Sequence, residues 1–354
     1  MIEGDERTVT EFDLLTMGRS SIDLYANDIG AAFEDITSFA AYVGGSPLNI
    51  AVAAQRLGLR AALLSAVGDD KVGDFILAFL EREGVATRFV ARKPGTRSSA
   101  VLLGIEPPDH FPLVFYRDNA ADAKLSIDDV MAAPIAASAA LEVSGTGLST
   151  EPARSATFAA AEAARRAGRP VYLDLDFRAD QWHDVRAFGI VVRSLLPLID
   201  VAFGTEEEVN AALLERSDDV EIVDQQVSAP RIRGDAEANV RAMLAAPTGP
   251  QAIVMKRGAA GSSVYLRGGE RIDAPGFEVE VMNVLGAGDA FAGGFLYGRA
   301  HGWDWYRSAR LGNACGAIVV SRHGCASSMA TLEEAMALAD DQGGLDDRAA
   351  GHGG

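Results

Sequence analysis

Asn283-Val284-Leu285-Gly286-Ala287-Gly288-Asp289 runs directly into Ala290-Phe291-Ala292-Gly293-Gly294-Phe295, a glycine turn followed by small and apolar residues. Glycines let a backbone turn tightly and leave no side chain over it, so successive amides can converge on one point. A helix that starts at such a turn adds unpaired N–H groups and the positive end of its dipole. The stretch therefore predicts an anion-binding helix start. Asp289, in the first turn, is placed to take a proton from a hydroxyl while the amides of Gly286, Ala287 and Gly288 hold a phosphate. A glycine turn with an acidic helix cap carries the same letters, so the assignment depends on the rest of the chain.

A second turn of this kind lies far upstream. In Tyr42-Val43-Gly44-Gly45-Ser46-Pro47-Leu48-Asn49-Ile50-Ala51 the glycines lead into a helix starting near Pro47, a residue favoured at the first helical position, and Leu57-Gly58 supplies the stop. Asn49 falls in the first turn, where its amide can face a ligand held over Gly44 and Gly45 or bond local backbone. Between and beyond the two turns, short apolar runs at 12–18, 61–67, 141–144, 171–175, 201–203 and 252–255 read as buried strands. Helical stretches such as 72–83 and 152–167 separate several of them. Strand and helix in alternation predict an α/β fold, a parallel sheet covered on both faces.

The two glycine segments together resemble the signatures of the ribokinase-like carbohydrate kinases, the phosphofructokinase-B family, and the resemblance runs over roughly residues 12 to 335. It implies a three-layer α/β/α sandwich with a mainly parallel central sheet and a small β-sheet lid. It also implies ATP and Mg²⁺ as cofactors, and phosphorylation of a sugar hydroxyl with Asp289 as base and Gly286, Ala287 and Gly288 as the anion hole. The segments 25–42 and 95–118, which read poorly as helices, would form the lid that shuts water out. Asp23 matches the aspartate that binds sugar hydroxyls, alongside Gly44, Gly45 and Asn49. On the nucleotide side the resemblance points to Lys256, Gly258 and Gly261, to Asn313, and to the loop Arg322-His323-Gly324-Cys325-Ala326 beside the adenine. Glu208 keeps the acidic position associated with Mg²⁺.

Within the family the chain is most similar to the kinases of keto-deoxy sugar acids. Tyr116-Arg117-Asp118 and Asp174-Leu175-Asp176-Phe177-Arg178 stand where those enzymes place arginines against the sugar acid. A planar guanidinium matches a carboxylate in two-point contact, which a neutral hexose does not require. The branch resembled most acts on 5-dehydro-2-deoxygluconate in inositol breakdown. A 2-keto-3-deoxygluconate kinase is the alternative, then a fructokinase or ribokinase, and outside enzymes a catalytically silent sugar-binding regulator. Two departures stand out: Thr205 replaces the usual asparagine three residues before Glu208, and Asn283-Val284-Leu285 replaces an Asp-Thr-Thr run, which weakens the case for a monovalent cation.

Other features narrow the field. The net charge of −18 over 354 residues disfavours nucleic acid and anionic membranes as partners. No run of about 18 apolar residues predicts a membrane span, and residues 1–7 lack the basic flank and apolar core of a signal peptide, so a cytoplasmic protein is expected. Cys315 and Cys325 suit packing in a reducing compartment and lack zinc spacing. No Gly-Lys dipeptide exists for a Walker A loop, and Phe291 occupies the third-glycine position of a dinucleotide fingerprint. The expected organisation is a kinase domain over 11–338 between disordered ends at 1–10 and 339–354, with a polar surface insertion near 215–235. Tyr25, Phe33, Phe39, Tyr42, Val101, Leu103, Leu113 and Phe115 load the lid segments with apolar area, which predicts a homodimer through the lids.

Overall fold

The structure, a computed structural model, describes residues 10–107, 110–222 and 228–348. The chain opens with β1 (Leu14–Met17), β2 (Ser21–Ala26), β3 (Phe39–Gly44), α1 (Ser46–Leu57), β4 (Ala61–Gly68), α2 (Lys71–Glu83) and β5 (Val90–Lys93). It continues through β6 (Ser99–Leu103), β7 (Leu113–Tyr116), α3 (Ile127–Met131), β8 (Leu141–Ser144), α4 (Ala153–Arg166), β9 (Val171–Asp174), α5 (Val185–Leu195), β10 (Val201–Gly204) and α6 (Glu206–Ala212). The last third carries β11 (Val220–Glu221), β12 (Arg231–Ile232), α7 (Ala236–Ala245), β13 (Ala252–Lys256), β14 (Ser262–Leu266), β15 (Arg271–Ala274), α8 (Ala287–Ala300), α9 (Trp305–Val320) and α10 (Leu332–Asp341).

Nine strands form one sheet in the order β15-β14-β13-β10-β9-β8-β1-β4-β5. It is parallel from β5 to β13, and β14 and β15 return antiparallel at one edge. Alternate residues of its apolar strands feed opposite faces. Leu63, Phe203 and Val254 join the core under α1, α8 and α9, whereas Leu64, Ala202 and Ile253 join the core under α4, α5 and α7. Two cores on one sheet make the expected three layers.

The run of small residues after Asp289 has a packing reason. A Cβ on Gly293 would lie 2.5 Å from Ala53 Cβ of α1, and one on Gly294 would lie 2.9 Å from the Leu311 carbonyl of α9. The α8 backbone is thus wedged between two helices, as only glycine permits. Chain order reverses between β1 and β8, since β4 and β5 extend the sheet one way and β9, β10 and β13 the other. Ligands of open α/β sheets gather at the carboxyl ends beside such a switch.

The lid is a separate four-stranded sheet, β3-β2-β6-β7; β6 and β7 lie within the expected 95–118, whereas β2 starts at Ser21 and β3 runs to Gly44, beyond both ends of the expected 25–42. Its strands alternate. Asp23, Tyr25 and Val101 are buried on one face, while Ile22, Leu24, Ala100, Leu102, Val114 and Tyr116 form rows on the other, with Tyr116 60% exposed. The apolar residues named from sequence fall mostly on the covered face, with Tyr25, Val101 and Leu103 fully buried in the single chain.

The C-terminal boundary differs from expectation. α10 runs to Asp341, Leu345 is buried, and Arg310 Nη2 donates to the Gly344 carbonyl at 3.0 Å, so order extends through 348. The expected disorder at 1–9 and 349–354 lies outside the described residues. The 215–235 insertion holds the β11–β12 pair, and its Ser228 Oγ donates to Asp180 at 2.9 Å, so it rests on the loop after Arg178. Among the described residues no helix is long and apolar enough to cross a membrane.

Candidate active site

Both glycine turns place a helix N-terminus at the same spot. Gly45 (φ 112°) precedes α1, with Pro47 in the first turn as expected, and Gly286 (φ 81°) precedes α8 with no side-chain cap on its first amides. Asn49 Nδ2 of α1 donates to Asp289 Oδ2 of α8 at 2.7 Å, joining residues 240 positions apart. Oδ1 of Asp289 makes no hydrogen bond among the described residues. Burial, and then the nearby charges of Asp174 and Asp176, push the Asp289 carboxyl up to about 7 against the Asn49 hydrogen bond and the Lys256 charge. A carboxylate with one open oxygen and a pKa near neutrality is suited to general-base work.

Asp174, at the end of β9, ties the two helix starts together. Its Oδ2 accepts from Ser46 Oγ of α1 at 3.1 Å, and its Oδ1 accepts from Lys256 Nζ at 3.0 Å. Lys256 ends β13 and reaches over α8, where a Cβ on Gly288 would meet its Nζ at 3.0 Å. The carboxylates of Asp174 and Glu208 hold the Lys256 ammonium well above its ordinary range despite burial. The glycines here are a requirement of space: cationic nitrogen and helix amides converge where a side chain would otherwise stand.

The sugar side as read from sequence is also assembled. A Cβ on Gly44 would lie 1.9 Å from Asp23 Oδ2, so Gly44 exists to let the Asp23 carboxylate lie across the turn. Ser21 Oγ donates to the other Asp23 oxygen at 2.7 Å, and burial raises the Asp23 pKa. Arg178 pairs through Nη2 with Asp176 Oδ1 at 3.0 Å and through Nη1 with the Phe177 carbonyl at 2.8 Å, leaving Nε buried and unpartnered. Asp176 sits at φ 34°, an uncommon conformation for a non-glycine residue. Arg117 points elsewhere: Nε binds Asp122 at 2.9 Å and Nη2 binds it too, while Nη1 donates to the Thr146 carbonyl at 3.1 Å and Gln181 Oε1 at 2.7 Å.

On the other side of Lys256 opens a cavity of about 610 Å³, walled by Phe277, Val279, Val281, Val284, Phe291 and Val320, with Gly258, Gly261, Ala287, Gly288 and Asn313 on its rim. Asn313 spends both amide protons on the Ala274 and Pro275 carbonyls at 2.9 Å, so it fixes the cavity wall. The loop 322–326 does not line this cavity, contrary to the sequence reading. Cys325 Sγ accepts from Asn49 Nδ2 at 2.9 Å, and the His323 ring packs edge-on against Tyr25 and Tyr42 of the lid, which draws the loop to the sugar side. Glu208 accepts the Thr205 amide at 2.8 Å and the Phe177 amide at 3.3 Å. Thr205 in turn caps α6, its side chain accepting the Glu208 amide.

Sequence reading missed Arg19, Asp174, Asp176 and Glu142 as parts of the site. The two aspartates carried a signal, since paired acids just past a buried strand stand at the ligand-binding edge of such a sheet. Glu142 gave none: it sits inside β8, 0% exposed, on the face toward α1 and α8, with neither oxygen hydrogen-bonded. Burial, then the charges of Asp174, Asp289 and Asp176, push it well above the ordinary carboxylate range. Among the described residues no three acidic, histidine or cysteine side chains form a ready metal cage.

Comparison with known proteins agrees with this geometry. A family model described as pfkB family carbohydrate kinase matches residues 12–332. The chain is 34% identical over 323 residues to the 5-dehydro-2-deoxygluconokinase of Geobacillus kaustophilus, covering 91% of this chain and 92% of that one. It is 33% identical to the enzyme of the same name from Shouchella clausii, over 94% and 97% of the two chains. An E. coli protein assigned as a ribokinase II, solved in complex with ATP and Mg²⁺, superposes with a TM-score of 0.79 at 23% identity, covering 93% of this chain and 99% of that one. With the family model spanning the sheet, the lid and both glycine turns, the chain belongs to the pfkB family of carbohydrate kinases.

Proposed function

We propose that this kinase transfers the γ-phosphate of ATP to the terminal hydroxyl of 5-dehydro-2-deoxy-D-gluconate. The observation that carries the mechanism is the open Oδ1 of Asp289, held by Asn49 beside the uncapped start of α8. Asp289 accepts the hydroxyl proton as the oxygen attacks, and the amides of Gly286, Ala287 and Gly288 stabilise charge on the phosphoryl group in line with it. Lys256, above Gly288, adds a positive charge on the nucleotide side. The 610 Å³ cavity next to it has the size and apolar walls that an adenosine moiety needs, with Gly258, Gly261 and Asn313 on its rim.

Mg²⁺ fits the site through water. Both Glu208 oxygens already accept backbone amides, and Mg²⁺ retains waters and phosphate oxygens more readily than it enters an all-protein cage. When bound with ATP it would neutralise phosphate charge, and Glu208 would orient its waters. Asp23, Gly44, Gly45 and Asn49 grip the sugar, and the lid excludes water. The names of the relatives support the sugar-acid substrate, as do the guanidinium groups on that side of the cleft.

ADP release measured across 5-dehydro-2-deoxygluconate, 2-keto-3-deoxygluconate, fructose and ribose tests the assignment. The first should give the highest kcat/KM; a neutral sugar in that place would overturn it. The enzyme is further proposed to work in the cytoplasm as a homodimer joined by the lids. The support is the outer lid face, where Ile22, Leu24, Leu102, Val114 and Tyr116 leave apolar rows without a cover in one chain. Light scattering at micromolar concentration should read about twice 37.2 kDa, and a mass of 37.2 kDa would end the dimer.

A further inference from the structure

The cleft is crowded with negative charge. Asp23, Asp174, Asp176 and Asp289 converge there, so a substrate that brings its own carboxylate enters against repulsion unless an unspent cation meets it. Three arginines stand on the sugar side, and they differ in what they have left to donate. Arg117 has committed Nε and both terminal nitrogens to Asp122, Thr146 and Gln181. Arg178 has its Nη2 on Asp176 and its Nη1 on its neighbour's carbonyl, which leaves a buried Nε but no adjacent pair of open donors. Arg19, the first residue after β1 bar one glycine, carries a single side-chain hydrogen bond among the described residues, from Nη1 to Ser21 Oγ at 2.9 Å.

That one bond leaves a particular edge free. Nε and Nη2 lie side by side on the guanidinium and are the pair that grips a carboxylate in a side-on fork. In Arg19 neither has a hydrogen-bond partner among the described residues, and Nε is buried. An unsatisfied buried donor costs free energy in the empty enzyme, which is tolerable where a ligand completes it. The residue is also held in place. Its carbonyl lies where a Cβ on Gly45 would come within 2.4 Å, so the Gly44-Gly45 turn sits on its backbone. Its guanidinium lies 5.3 Å over the Phe115 ring of the lid strand β7. Through Ser21, whose Oγ bonds Asp23 at 2.7 Å, it is wired to the sugar-binding carboxylate. Arg178 and then Arg19 hold the Asp176 carboxyl below its ordinary range against burial, so the positive charge of Arg19 reaches into the same cleft.

We propose that Arg19 receives the carboxylate of the substrate on its free Nε/Nη2 edge, and that this contact, rather than Arg117, selects sugar acids over neutral sugars. The inference rests on the sugar-acid reading of the site. It makes Arg19 a specificity-determining residue whose guanidinium plane is already held against Phe115 of the lid.

The test compares 5-dehydro-2-deoxygluconate with its carboxamide, which keeps every hydroxyl and removes the charge. Wild type, Arg19→Met and Arg19→Lys are assayed with both by coupled ADP release, with thermal melting as a check on folding. Wild type should prefer the acid. Arg19→Met should lower kcat/KM for the acid roughly tenfold to hundredfold, mainly through KM, the size of a lost charge-assisted contact, with little change for the amide. Arg19→Lys, which keeps charge without the fork, should fall between them, and it carries the test alone if the Met variant does not fold. An acid-to-amide ratio unchanged in the variants, or absent in wild type that turns over the acid, overturns the role of Arg19. Wild type that phosphorylates neutral sugars and no acid overturns instead the substrate reading beneath it.

Discussion

The two sides of the cleft are built from different materials. On the side proposed for the nucleotide the walls are valines and phenylalanines, the proposed phosphate site is helix amides and one lysine, and Asn313 fastens α9 to the strand beside it. On the sugar side the floor is buried charge: Asp23, Asp174, Asp176 and Asp289 against Arg19 and Arg178. An adenine ring needs area and a few amides, and many residue choices supply those. A sugar acid must be recognised at each hydroxyl and at its carboxylate, which requires charged groups held at fixed positions and desolvated in advance. Substitutions on the sugar side should therefore act through single decisive contacts, and those on the nucleotide side through small increments.

The largest effect belongs to Asp289. Asp289→Asn should reduce kcat by roughly a thousandfold or more while ATP and sugar binding persist. More than a tenth of wild-type activity would remove the residue from the role of base. In wild type, kcat/KM should fall as pH drops through about 7, because protonation there disables the base. The same shift has a stability consequence. The folded pKa lies above the unfolded value of 3.8, so the charged carboxylate costs stability above that pH. Asp289→Asn should accordingly melt higher than wild type at pH 8, with the difference vanishing toward pH 3.8.

Arg117 comes next, through stability. Removing it leaves Asp122, 2% exposed, with its charge uncompensated, and breaking one side of such a buried pair costs about 3–5 kcal/mol. Arg117→Ala should show that loss in denaturant melts with the acid-to-amide preference intact. A changed preference at full stability would return Arg117 to the substrate and dissolve the distinction from Arg19.

These outcomes bear on how much could be read from letters alone. The sheet and both helix starts were legible because each rests on local chemistry, glycine where amides converge and apolar runs for strands buried on both faces, whereas the lid followed from the family resemblance of two segments that read poorly as helices. Asp289 and Asn49 were legible for the same reason, although their 2.7 Å contact spans 240 residues. The arginines were not, because a guanidinium's role depends on which of its donors others have already taken, and Asp122, Thr146 and Gln181 approach Arg117 from three separate segments. The contacts of the loop at 322–326 are hidden for a similar reason, as nothing near Cys325 in sequence announces Asn49 or the lid tyrosines. Glu142 is a single acid inside an apolar strand, where the pattern argues only for burial.

That buried acid gives a smaller effect. Glu142 has a folded pKa raised well above 4.5, so the folded state binds a proton that the unfolded chain releases, and stability is lost as pH rises above 4.5. Glu142→Gln keeps the shape without the titration. It should raise the melting temperature at pH 8 and leave it unchanged near pH 4.5. A variant that melts lower at pH 8 would mean that the carboxylate is charged and compensated in the folded protein.

The smallest effect is expected across the cleft at Val281, which lines the nucleotide cavity and is 46% exposed without ligand. Val281→Ala removes two methyl carbons from a wall, and a ligand that covers them partly would lose on the order of 1 kcal/mol of apolar contact. That corresponds to a rise in KM for ATP of roughly fivefold, with kcat, sugar KM and the melting temperature unchanged. The side chain is apolar and carries neither a charge nor a proton to the chemical step. A hundredfold loss, or any comparable fall in kcat, would show that one valine positions the phosphate chain. In that event the nucleotide side would also depend on single contacts, and the contrast between an apolar half tuned by area and a charged half tuned by individual groups would not hold.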